Sequence, residues 1–151
     1  MRHSPLVLLL VLACLALGAC EADNNPANPT PASLSAVLEV FGSSGLTLSN
    51  VVSGDPGCPN QDLANNALSF DAKGLDQVTP TRVYLYGFKN RATFQRLATA
   101  VDACARSYAT DPATYGAMQV SPFVLTGPGP WAPQFAERLR IAITKAAGNG
   151  G

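Results

Sequence analysis

The sequence predicts an α+β fold: a single two-layer domain, with a largely antiparallel sheet of about four strands and helices packed on one face. Three observations lead there. Arg82 to Phe88 alternates as a strand does, with Val83 and Leu85 on one side and Tyr84, Tyr86 and Phe88 on the other. Two later segments repeat their apolar residues at the three- and four-residue spacing of an amphipathic helix. Connections are short and the order is mixed, which favours segregated helices and strands over a regular β-α alternation.

Ser33 is placed to cap a first helix, with Leu34, Val37, Leu38 and Phe41 on one face and Gly42 or Gly45 as the stop. Leu46 to Val52 then alternates like a strand. Gly54-Asp55-Pro56-Gly57-Cys58-Pro59-Asn60 is dense in turn formers and reads as a loop. Ala67 to Gly74 is a second strand, ended by its glycine, and Arg82 to Phe88 is a third. Its apolar residues on both sides place it centrally in the sheet.

Asn90 can cap a long helix running to about Ala109, where Thr110-Asp111-Pro112 stops it. Phe94, Leu97, Ala98, Val101, Cys104, Ala105 and Tyr108 form its stripe. Met118 to Thr126 reads as the last strand, with Pro122 at an edge or a bulge. After Gly127-Pro128-Gly129-Pro130 comes a final helix. Pro133 lies in its first turn, Phe135, Leu139, Ala142, Ile143 and Ala146 form its stripe, and Gly148 ends it. The domain therefore spans residues 33–147, with 148–151 as a short flexible tail.

Ahead of the domain lies a short positive start, then an uncharged apolar run from Leu6 to Ala19. At about 14 residues this run suits a secretory signal peptide better than a membrane span, which needs roughly 20. Its end, Leu17-Gly18-Ala19-Cys20, resembles the lipobox of bacterial lipoproteins, with Gly18 where Ala or Ser is usual. That resemblance implies cleavage of residues 1–19 and a diacylglyceryl group on Cys20, with palmitate-type chains as the membrane anchor. Val11-Leu12-Ala13-Cys14 is a poorer site, since cleavage there strands Leu15-Ala16-Leu17 on the mature chain. Residues 20–32, broken by Pro26, Pro29 and Pro31, then form an extended tether. The domain is also similar to small bacterial lipoproteins with a tyrosine-rich strand before an amphipathic helix, a likeness that carries no known activity or functional residue.

Ten Lys and Arg balance ten Asp and Glu, and cleavage removes only Arg2 among them. The overall charge therefore indicates neither nucleic acid nor anionic lipid headgroups as a partner. His3, the single histidine, falls in the cleaved segment, so the mature chain lacks histidine bases and the commonest metal ligand. With Cys20 acylated, Cys58 and Cys104 remain in an oxidising compartment and read as a disulfide, being too far apart for C-x-x-C chemistry or zinc spacing.

Signals for chemistry are sparse. No nucleotide-binding, zinc-protease or serine-hydrolase motif occurs, and no cofactor or metal is expected. Asp55 and Asp62 flank Cys58 beside Asn60 and Gln61, but without the spacing of a calcium loop. Lys89, Arg91 and Arg96 at the start of the long helix could hold an anion. Tyr84, Tyr86 and Phe88, with Trp131, could form an exposed aromatic platform for a glycan, a peptide or a protein, or else be core beneath the helices.

The expected function is that of a lipid-anchored, extracytoplasmic envelope protein. Its domain is a non-enzymatic module binding another envelope protein, a cell-wall component or a small ligand. The alternatives are a periplasmic inhibitor or accessory subunit using the Cys58 loop, and a histidine-free hydrolase or transferase. Two converging carboxylates in a deep pocket would favour the enzyme, a protruding Asp55 to Gln61 loop the inhibitor, and an exposed tyrosine face the binding module, while a shallow surface with none of these would leave only a structural domain.

Overall fold

The computed structural model describes residues 33–109 and 117–148. The signal peptide, Cys20, the tether, the Thr110-Asp111-Pro112 helix stop and residues 149–151 lie outside these. In chain order the elements are α1 (Leu34–Ser43), β1 (Thr47–Ser53), α2 (Gln61–Ala64), β2 (Ala67–Gly74) and β3 (Gln77–Gly87). They continue with α3 (Arg91–Tyr108), β4 (Ala117–Val120), β5 (Phe123–Thr126) and α4 (Pro133–Ala147). The sheet order is β1-β2-β3-β5-β4, every neighbour antiparallel.

The predicted caps form. Ser33 accepts from the Ala36 N–H, Asn90 accepts from the Thr93 N–H, and Pro133 opens α4. Sheet size and layering depart from expectation. Among the described residues five strands form rather than about four, because the segment expected as one strand from Met118 to Thr126 is a hairpin. Ala117 pairs with Thr126 and Val120 with Phe123, leaving Ser121 and Pro122 as the turn. Proline has no N–H for a ladder, and a turn is where that loss matters least. Strand β3 also begins earlier than Arg82, at Gln77. Pro80 lies where the register to β2 shifts and where, among the described residues, only β2 pairs with it.

Helices cover both faces of the sheet, not one. On the first face Leu68, Phe70, Val83, Leu85, Phe123 and Leu125 lie beneath α1 and α4, against Val37, Phe41, Phe135, Leu139 and Ile143. On the second, Ala67, Tyr86, Phe88 and Val124 lie beneath α3 and the short α2, against Leu97, Val101, Cys104 and Leu63. A strand apolar on both sides leaves one side wet if covered only once. Each large side chain so exposed would forgo about 1.5–3 kcal/mol, and three layers remove that cost.

Helix α4 receives its cap from a distant part of the chain. Ala132 offers no capping side chain. Instead the tip of the β2–β3 hairpin supplies Asp76, whose two carboxylate oxygens each accept at 2.9 Å, from the N–H groups of Gln134 and Phe135. Gln77 adds a bond from the Ala132 N–H at 3.1 Å. A carboxylate at a helix N-terminus satisfies orphan donors and meets the positive end of the dipole. We expect Asp76→Ala to lower the unfolding free energy by about 1–2 kcal/mol, measured by urea denaturation, with Asp76→Asn losing less.

Candidate functional site

The loop between β1 and α2 lies flat on the second face, held at three points. Cys58 is bridged to Cys104 of α3, with the Cα atoms 5.5 Å apart. Pro56 is buried, and its carbonyl accepts from the Tyr86 hydroxyl at 2.6 Å. Gly57, at φ +78°, sits against the stacked rings of Tyr84 and Tyr108, where a Cβ would come within 2.8 Å of ring carbons. Only glycine fits both the backbone conformation and the space. The loop is therefore tied down along Pro56 to Cys58, with Pro59 and Gln61 left exposed.

Beside this loop is the principal polar cluster. Arg82 donates to Asp71 Oδ1 and Asp55 Oδ2, both at 3.2 Å, to Ser69 Oγ at 2.5 Å and to the Asn50 carbonyl at 3.0 Å. Ser69 donates to Asp55 at 2.5 Å, and the Asn50 amide donates to Asp71 at 2.6 Å. Strand pleating brings these groups together: Asp71 pairs with Arg82 and Ser69 with Tyr84, all on one face. Asn50 reaches them from the irregularity between Ser49 and Val52, with φ +51°.

Two carboxylates do converge here, but on a guanidinium and at a partly open surface. Burial pushes the Asp55 carboxyl up, yet bonds from Ser69, the Gly57 N–H and Arg82 outweigh it and hold it below the ordinary range. The Asn50 bond, aided by Arg82 and opposed by burial, likewise lowers Asp71. Both stay ionised at neutral pH, the opposite of what a general acid needs. Ser69 is fully buried and bonded to two partners, so its hydroxyl cannot reach a substrate. The cluster acts as an electrostatic clamp joining β1, the loop, β2 and β3.

Because both carboxyls are depressed in the folded state, the stability they contribute is present above the ordinary aspartate value near pH 4. It is lost as pH falls through their lowered values. We expect Asp55→Asn/Asp71→Asn to be about 1 kcal/mol less stable than wild type at pH 7, since partly exposed pairs are screened. That gap should close below about pH 4, and denaturation series at several pH values measure it.

The aromatic residues do not form an exposed platform. Tyr86 and Phe88 are buried under α3, and burial raises the Tyr86 hydroxyl pKa far above the usual value. Tyr84 is half-buried against Tyr108 at a ring separation of 4.4 Å. Trp131 packs edge-on to Phe135 in the other core, on the opposite side of the sheet. The tyrosines are needed as core because α3 covers that face.

Asp55 and Asn60 have separate structural tasks, the second capping α2 through the Leu63 N–H. Among the described residues no group of three or more His, Cys, Asp or Glu could hold a metal. Sequence reading missed the Asn50, Ser69, Asp71 and Arg82 set. A charged residue inside an otherwise apolar strand, facing Ser69 and Asp71 at matching parity, was the available signal.

This side also carries an open feature. A shallow groove of about 580 Å³ runs between the loop and α3. Pro59 and Asn60 form one wall, Arg96, Thr99, Ala100 and Ala103 the other, with the disulfide alongside. Its walls mix polar and apolar surface and are open to solvent. No family model, curated protein or solved structure matches this chain.

Proposed function

We propose that the protein is an exported lipoprotein, anchored through acyl chains on Cys20, whose domain serves as a non-enzymatic binding module on the outer side of a bacterial envelope membrane. The observation that carries this reading is the Cys58–Cys104 bridge. It supports an oxidising compartment, and it leaves Cys20 as the odd cysteine of the chain that follows the Leu17-Gly18-Ala19 sequence. Among the described residues no helix is long and apolar enough to cross a membrane, so membrane attachment in this reading rests on the lipid.

The clamp, whose acids are ionised and held by Arg82 and whose serine is buried, speaks against the hydrolase or transferase reading, and the groove alongside the disulfide is what supports binding. The groove beside the bridge is the surface we assign to a ligand such as an extended peptide or cell-wall strand. Wild type should partition into the detergent phase of a cloud-point extraction while Cys20→Ser stays in the aqueous phase. Two or more acyl chains anchor stably because each buried methylene adds about 0.8 kcal/mol. Equal partitioning of the two forms refutes the anchor.

A further inference from the structure

The end of the domain at which Ser33 and α1 begin also carries three exposed cations, Lys89, Arg91 and Arg96. Leu34, the first residue of α1, lies against Gly87 at the end of β3, where a Cβ would meet the leucine Cδ2 at 2.8 Å. The turn at Pro122 is at the same end, its carbonyl accepting from the Phe88 N–H at 2.9 Å. Two residues beyond Gly87 comes Lys89, then Arg91 at the start of α3. Arg96 follows at the rim of the groove, about 8 Å along the helix at 1.5 Å per residue.

All three side chains are exposed, and none has an ion pair among the described residues. The first turn of α3 contains no acid. Cations there face the positive end of the helix dipole, an arrangement that local stability disfavours. Among the other described cations, Arg82 and Arg140 have carboxylate partners, and Lys73, Arg106, Arg138 and Lys145, also without an ion pair, are spread over β2, α3 and α4. Asp62 of α2 comes to the same end and offsets part of the excess, because α2 leads into Asn66, whose carbonyl accepts from the Gly87 N–H.

We propose that this end of the domain, through Lys89, Arg91 and Arg96, docks on the anionic phospholipid surface in which the Cys20 chains are inserted. The proposal rests on the lipid-anchor reading. Ser33 immediately precedes the Leu34 that packs on Gly87, so in the lipid-anchor reading the chain from Cys20 holds this end near the headgroups at a high effective concentration. Each Lys or Arg close to an anionic leaflet multiplies the docked population about fivefold, so three give about a hundredfold. Gln77, at the other end of the eleven-residue β3, then stands about 33 Å from Gly87 and away from the bilayer.

The test uses the mature acylated protein in vesicles of mixed phosphatidylglycerol and phosphatidylcholine, or of phosphatidylcholine alone, with amine acetylation read by mass spectrometry. Lys89 reports the docking end and Lys73, next to the β2–β3 hairpin, is the internal reference. We expect Lys89 to be protected at least about fivefold relative to Lys73 on the anionic vesicles only. Protection should vanish in about 1 M salt, where the screening length is about 3 Å, and in the Arg91→Glu/Arg96→Glu variant.

Equal reactivity of the two lysines in a vesicle-bound protein overturns the docking while leaving the anchor intact. So does protection that is the same on neutral vesicles. Protection in native envelope fragments but not on anionic vesicles also overturns it and points to a protein partner. Mature protein that carries no acyl mass and floats with neither vesicle refutes the anchor, and this proposal with it.

Discussion

Replacing Cys58 and Cys104 together by Ala is expected to lower the unfolding free energy by about 4 kcal/mol. The figure follows from the 46-residue separation of the two cysteines, which sets the loop entropy that the bridge removes from the unfolded chain. For a domain of this size the loss corresponds to a fall in melting temperature of about 15 °C. Changing both residues avoids leaving one reactive thiol.

The folded loop should survive at low temperature. Tyr86 still holds the Pro56 carbonyl and Arg82 still holds Asp55. The expected result is therefore a native-like spectrum with an early melt, followed by circular dichroism. A loss under about 1 kcal/mol would mean that these contacts already confine the loop in the unfolded ensemble.

Phe135→Ala should have an equally large effect through a different mechanism. Phe135 is fully buried beneath the first face of the sheet, with its ring edge-on to Trp131 at 6.1 Å. Its own N–H is bonded to Asp76, which holds the backbone in place and limits collapse around the deleted ring. Phe→Ala at such a site typically costs about 3–5 kcal/mol, combining lost transfer energy with a residual cavity.

Phe135 and the disulfide lie on opposite sides of the sheet and belong to different clusters, so the two losses should add. Their sum, about 8 kcal/mol, matches the whole stability of many small domains. The combined variant is therefore expected to be unfolded at 25 °C, while each parent folds. Urea titration of all three forms checks this.

Much of the local structure could be read directly from the sequence. The strand Ala67–Gly74, the caps Ser33 and Asn90, Pro133 at the start of α4 and the buried stripe Phe135, Leu139, Ala142, Ile143 and Ala146 appear where expected. The partners of the disulfide followed from counting cysteines. Such features depend on residues within a turn or two of one another, or on so few candidates that little choice remains. The Ser121-Pro122 turn was harder, because a proline inside an alternating run is equally compatible with an edge, a bulge or a reversal.

The candidate sites were less legible. Tyr84, Tyr86 and Phe88 carry the same alternation whether they face water or a helix, and only the packing of α3 buries the last two. Asp76 looked like one carboxylate among many, yet it caps a helix 58 positions further on. Arg82 looked like the first residue of a strand and proves to be the centre of a four-partner network. The balanced overall charge concealed local differences, with Arg82 held by two carboxylates while Lys89, Arg91 and Arg96 have no ion pair among the described residues.

Sequence alone determined where the helices and most strands lie, which faces of them are apolar, and which cysteines can pair, since these follow from short-range periodicity, capping and counting. The tertiary structure decided that the sheet is covered twice, that Asp55 and Asp71 share one guanidinium, and that Asp76 caps a helix far along the chain. Those outcomes join residues tens of positions apart, and only chain topology sets the distances on which burial and electrostatics depend.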